Sequence, residues 1–85
     1  MIQNILDALS DPTRREILKL LKRGERSAGE IAERFDVSAP AISRHLSLLR
    51  EAEMVHARRD GKNIYYSLST DFVDEMKLWL NGFAE

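Results

Sequence analysis

The stretch from Ser38 to Arg50 carries Ser38, Ser43, Arg44, His45, Ser47 and Arg50 and no acidic side chain. Guanidinium and hydroxyl groups of this kind suit hydrogen bonding to the base edges and phosphates of a nucleic acid. Arginine pairs with guanine through two bonds, and serine donates to or accepts from bases. With Ile42, Leu46 and Leu49 turned inward on a helix, the opposite side shows Ala39, Pro40, Ser43, Arg44, Ser47 and Glu51. Its first two turns are small and polar, so such a helix approaches base edges without obstruction. Taken alone, an ordinary solvated helix face looks the same. The next segment shifts the balance. Arg58, Arg59 and Lys62, against Asp60 alone, crowd a hairpin tip where chain reversal projects them outward. A basic hairpin directly after a reading helix fits a wing with its charges against phosphates, although edge strands also carry basic residues to block aggregation. Ser27 and Ser38 join the candidate phosphate contacts, and the helix N–H groups near Ser38 add a positive dipole end.

Other chemistries find no support. A hydrolase needs a nucleophile, a base and an orienting group in contact. Ser43 and His45 point about 200° apart around a helix and cannot form a dyad. No glycine-rich phosphate loop is present. His45 and His56 lack a third ligand or a positioned carboxylate, so no metal site and no cofactor are expected. His45 flanks the inward face of its helix, which predicts a structural role in packing or hydrogen bonding; His56 reads as an exposed or half-buried strand residue.

These groups must be positioned by short helices and a hairpin. Ile2, Ile5, Leu6 and Leu9 share one helical face, ending at Ser10. Asp11 can cap the next helix with Pro12 at its first position, where a missing N–H costs nothing. Ile17, Leu20 and Leu21 then form an apolar stripe as far as Gly24. Ser27 and Glu30 make a capping box for a short helix that buries Ile31 and Phe35. Asp36-Val37-Ser38 is a tight turn, and Ser38 caps a helix running to about Ala52 with Pro40 in its first turn. Two short helices about such a turn are the helix-turn-helix pattern. Val55–Arg59 and Asn63–Ser67 are β-prone runs flanking Asp60-Gly61-Lys62, a strong hairpin signal. Phe72, Met76, Trp79, Leu80 and Phe83 form a last helical stripe from a cap at Ser69 or Thr70.

The 85 residues suit one domain spanning 1–85, with no room for a separate catalytic domain. A chain this small buries only about 60% of its unfolded surface and usually needs disulfides, a metal or a partner subunit. There is no cysteine, which leaves the partner subunit and fits a reducing cytosol. No apolar run reaches the roughly 18–20 residues of a membrane span, and the N-terminus lacks the basic start of a signal peptide; a cytoplasmic location is expected. Net charge is −1, but it is segregated, with Asp71, Asp74, Glu75 and Glu85 against Lys77 at the C-terminal end. Phosphate responds to the field within a Debye length of about 8–10 Å, so the whole-chain charge is a weak veto. Amphipathic helices at both ends predict a two-fold homodimer through Ile2, Ile5, Leu6, Phe72, Met76, Trp79, Leu80 and Phe83. Such a dimer places its reading helices about 34 Å apart.

Ala8-Leu9-Ser10-Asp11-Pro12-Thr13-Arg14-Arg15-Glu16-Ile17-Leu18 resembles the opening signature of the ArsR/SmtB repressors. Val37-Ser38-Ala39-Pro40-Ala41-Ile42-Ser43-Arg44-His45-Leu46-Ser47-Leu48-Leu49 is similar to their reading helix, and Gly61-Lys62-Asn63-Ile64-Tyr65-Tyr66-Ser67-Leu68 to the second strand of their wing. Within the family the chain looks most like the short, metal-independent autorepressors of the sporulation-delay type. The resemblance implies a dimeric winged-helix repressor, paired through its first and last helices and often acting on its own operon. The family's metal chemistry does not carry over. Its Cys-x-Cys position reads Glu30-Ile31-Ala32-Glu33-Arg34-Phe35, and its Asp and His pairs in the last helix meet Asp71, Asp74 and Glu75 without a histidine. The expected fold is mainly α with a small β-hairpin, a homodimeric winged helix-turn-helix in the order α-α-α-α-β-β-α. The expected partner is double-stranded operator DNA, with no metal, no membrane and an effector left open. Two other readings stand beside it: a protein-interaction module or antirepressor using the C-terminal aromatic helix, and a ligand- or metal-responsive sensor.

Overall fold

A computed structural model describes residues 2–84. Helix α1 (Ile2–Leu9) buries Ile5 and Ala8, and α2 (Pro12–Lys22) buries Ile17, Leu18, Leu20 and Leu21. The joint between them explains the polar run Ser10–Arg15. Asp11 accepts from the Arg14 N–H at 3.1 Å and so caps α2. Arg14 and Arg15 reach back to the other helix end: Arg14 Nε donates to the Ala8 carbonyl at 2.9 Å, its Nη2 to Asp7 at 3.0 Å, and Arg15 Nη1 to Leu9 at 2.6 Å. Carbonyls that α1 leaves without internal donors are thereby satisfied. One short segment closes two helix ends.

The capping box at Ser27 is formed as expected, with Glu30 N–H to Ser27 Oγ at 3.1 Å and Ser27 N–H to Glu30 Oε1 at 2.8 Å. It starts α3 (Ala28–Arg34), which buries Ile31. Phe35 differs from expectation: α3 stops at Arg34, so Phe35 is extended and only half-buried, packing on the core from its margin. Ser38 Oγ accepts from the Ala41 N–H and opens α4 (Ala39–Glu51), with Ile42, Leu46 and Leu49 buried.

Strands β2 (Val55–Asp60) and β3 (Asn63–Leu68) are antiparallel, with Asp60 opposite Asn63. The turn is therefore the two residues Gly61 and Lys62. Gly61 has φ +64, the requirement of a turn with glycine at its first central position. A third strand, β1 (Arg26–Ser27), was not expected. It pairs with β3, Arg26 opposite Tyr66 and Ser27 opposite Tyr65, giving the order β1-β3-β2. The last helix is α5 (Asp71–Asn81). Thr70 holds its cap position without a side-chain bond, and no α5 residue is fully buried.

Ile5, Ile17, Ile31, Ile42, Leu46, Leu49 and Met54 form the enclosed core. The Cα radius of gyration is 13.5 Å, against about 12 Å for a compact chain of this length. The molecule is elongated, 49 × 24 × 20 Å. No described helix is long and apolar enough to cross a membrane.

Candidate nucleic-acid interface

Helix α4 presents Ala39, Pro40, Ser43, Arg44 and Ser47 to solvent, all exposed, while Ile42, Leu46 and Leu49 lock its other side into the core. The helix is thus fixed by three buried anchors and is free to meet a surface with its small-residue side. Its N-terminus offers less to an anion than the sequence implied. Ala41 N–H is taken by Ser38 Oγ, Ile42 N–H by the Ser38 carbonyl, and Pro40 has none. Among the described residues of this first turn, the Ala39 N–H is what remains for an outside acceptor. Ser38 and Ser27 each keep a hydroxyl proton to donate, since their oxygens act as acceptors in the caps.

His45 is half-buried, as its flanking position implied, and its Nδ1 lies 3.2 Å from Arg14 Nη1. Arginine has only donors, so the Nδ1 lone pair must accept. Arg14 thus joins three elements: the end of α1, the start of α2 and the side of α4. Sequence reading did not assign it this role, because its partners lie 6, 7 and 31 positions away. Asp11 beside it has its carboxyl held below the usual carboxylate range, chiefly by the Arg14 backbone hydrogen bond and further by the Arg14 charge.

The wing corrects one expectation. Arg58 does not project from the tip; it lies within β2 opposite Tyr65. Its Nη2 donates to Glu25 Oε1 at 2.7 Å and its Nε to Glu25 Oε2 at 3.2 Å. Its guanidinium carbon sits 4.8 Å from the centre of the Tyr65 ring. The Arg58 bond draws the Glu25 carboxyl below its ordinary range. Arg59 and Lys62 are exposed nearer the turn, Arg59 making a long 3.4 Å contact to the Gly61 carbonyl. His56 is exposed on β2.

The expected pairing residues divide into groups. Ile5 is 1% exposed, so its side chain is spent on the protomer's own core and offers a partner nothing. Ile2, Leu6, Phe72 and Met76 are half-buried. Trp79, Leu80 and Phe83 stand out at 41, 54 and 76% exposure. Leu78, which falls off the helical stripe, is also open. No described cluster of three or more His, Cys, Asp or Glu residues has the geometry to hold a metal ion.

The family description "Bacterial regulatory protein, arsR family" matches residues 11–57, from the cap of α2 to the start of the wing. The transcriptional repressor SdpR of Bacillus subtilis (strain 168) is 48% identical over 82 residues, covering 96% of this chain and 91% of that protein. A probable mercury resistance operon repressor of Streptomyces lividans is 44% identical over 69 residues, or 81% of this chain. The chain spans 55% of that relative's length. Among solved structures, an ArsR family transcriptional regulator superposes with a TM-score of 0.90 at 27% identity, over 95% of this chain and 84% of that one.

Proposed function

This chain belongs to the arsR family of bacterial regulatory proteins, a winged helix-turn-helix DNA-binding repressor rather than an enzyme, and from that premise we propose that it acts as a homodimer on a pseudo-palindromic operator. The observation that carries this reading is the anchored α4 with its open side of Ala39, Pro40, Ser43, Arg44 and Ser47, followed directly by a basic wing. In the proposal Arg44, Ser43 and Ser47 read the major groove, with Ala39 and Pro40 at close approach. Ser27, Ser38, Arg59 and Lys62 hold phosphates. Residues 1–85 act as one domain in the cytoplasm, without a metal-sensing site, and the repressor acts on its own operon.

Pairing falls to Ile2, Leu6, Phe72, Met76, Trp79, Leu80 and Phe83, which sets two α4 helices about 34 Å apart, one turn of duplex. Selecting bound fragments from the source genome tests the whole reading. The expected result is a two-fold related motif with half-sites about one turn, or 10 base pairs, apart and located upstream of the chain's own gene. Recovery of fragments without a shared motif would refute it. A second reading, a module for binding other proteins or an antirepressor, is favoured by the open Leu78, Trp79, Leu80 and Phe83. A stable monomer in sedimentation, with no salt-dependent affinity for DNA, would support that alternative instead.

A further inference from the structure

Resting on the DNA-binding reading, we propose that Glu25 and Arg58 form a positioning clasp that sets the wing against the duplex, and that the wing's phosphate contacts are Arg59 and Lys62 without Arg58. Every nitrogen of the Arg58 guanidinium already faces an acid. Nη2 and Nε bond to the two oxygens of Glu25 at 2.7 and 3.2 Å, and Nη1 lies 3.7 Å from Asp60 Oδ2. Its flat face is covered by the Tyr65 ring. A phosphate binds arginine through such edges; Glu25 takes the Nε–Nη2 edge and Asp60 stands against Nη1, so a phosphate has to compete with two carboxylates for Arg58. Glu25 also cancels its charge locally.

The register shows what the clasp holds. Tyr65 is on the central strand, opposite Ser27 of β1 on one side and Arg58 of β2 on the other. Glu25 immediately precedes β1. The clasp therefore runs across all three strands and ties the hairpin to the segment that enters α3. A two-stranded hairpin alone is marginally stable in water, and β1 contributes only two residues of pairing. An exposed ion pair adds little stability. Two bonds of fixed direction plus a ring contact do restrict how far the hairpin can swing. Arg59 and Lys62, outside the clasp, then meet the backbone at a defined place.

The test is a salt titration of binding to a mixed-sequence duplex of about 30 base pairs, whose slope counts phosphate contacts at about 0.9 each. Wild-type protein is compared with Arg59→Ala, Lys62→Ala, Arg58→Lys, and the charge-neutral pair Glu25→Gln with Arg58→Gln. Thermal melting verifies that each variant folds. Arg59→Ala and Lys62→Ala should each flatten the slope by about 0.9. The double variant should keep the wild-type slope while binding about three-fold more weakly at every salt concentration, a uniform loss with no phosphate contact removed. Arg58→Lys keeps the charge but not the two-pronged bond, and should behave like the double variant. A slope flattened by about 0.9 in the double variant would make Arg58 a phosphate contact and overturn the clasp while leaving the DNA reading intact. Wild-type affinity in the double variant would overturn the positioning role equally. Slopes unmoved by Arg59→Ala and Lys62→Ala would remove the wing's phosphate contacts, and the clasp's role with them, whereas wild-type protein without salt-dependent affinity for the duplex would remove the DNA-binding reading itself.

Discussion

Arg44 stands on the open side of α4 between Ser43 and Ser47, one turn beyond Pro40, where no described side chain of the protomer shares its guanidinium in an ion pair. That freedom distinguishes it from Arg14, bonded to α1 and His45, and from Arg58, gripped by Glu25. Three arginines of one sequence thus have three different surroundings, decided by who their neighbours are. If Arg44 pairs with a guanine edge, Arg44→Ala should cost about 1–3 kcal/mol on the operator and leave binding to random duplex much less affected. Gel-shift titrations on both duplexes check this, and equal losses on the two would reassign Arg44 to the backbone. Asp11 supports a prediction about acid. Its folded-state carboxyl is held low by the Arg14 N–H, so the native state favours the charged form. The resulting stability is complete above the unfolded pKa of about 4 and is lost as pH falls through the lower folded value. Asparagine caps a helix as well as aspartate does but carries no titrating group. Asp11→Asn should therefore melt like wild type at neutral pH and lose less stability on going to pH ~3, a difference thermal melts at both pH values would reveal. Caps such as Asp11, Ser27 and Ser38 were legible in the sequence because each bonds a backbone group three residues away. Arg14 and Arg58 were not, because their partners are far along the chain.

The helices followed their sequence signals closely, while the strands kept one feature hidden. Apolar spacing and caps are local, and they define α1 to α4 to within a residue or two. Strand β1 is two residues long and exists only because Tyr65 and Tyr66 of β3 lie beside it; Arg26 and Ser27 carry no β-signal of their own. The turn shows a subtler shift. The sequence placed Asp60-Gly61-Lys62 between the strands, yet Asp60 still pairs with Asn63, so the corner narrows to Gly61-Lys62. Lys62 keeps its expected place at the tip, while Asp60 joins β2. The end of α4 holds a residue that no pattern announced. The Met54 N–H bonds the Leu49 carbonyl at 3.0 Å and the Glu53 N–H bonds Arg50 at 2.9 Å, the double bond of a Schellman end. This places Glu53 at φ 58, a left-handed conformation where glycine is the usual occupant. Glutamate there costs roughly 1–2 kcal/mol in side-chain and carbonyl crowding, part of which glycine returns in unfolded-chain entropy. Glu53→Gly should accordingly raise stability by about 0.5–1 kcal/mol without altering DNA affinity. A chemical denaturation midpoint below that of wild type would contradict the assignment of strain to this position.

At the level of the whole molecule, the elongated shape and the open face of α5 raise the same question of what completes so small a core. Phe72 and Met76 pack on the protomer, whereas Trp79 and Phe83, one turn further on, meet each other edge to face with centroids 5.1 Å apart and remain largely open. The stripe thus begins as core and ends as surface. Aromatic anchors of this kind often dominate an interface, with truncation costs of about 2–4 kcal/mol. An interface built on α1 and α5 would leave both α4 open sides and both wings outward, which is the geometry a two-fold operator requires. The dimer and the DNA reading are therefore coupled but separable. Trp79→Ala with Phe83→Ala should shift sedimentation from dimer toward monomer, raising the dimer dissociation constant by at least about 30-fold. The same variant should retain nearly normal affinity per protomer for random duplex, because Arg59, Lys62 and α4 are untouched. Its operator affinity should fall steeply, since two half-sites would no longer be gripped by one tethered pair. A variant as dimeric as wild type would move the interface off α5. A variant that became monomeric yet bound its operator undiminished would show that each half-site is read alone.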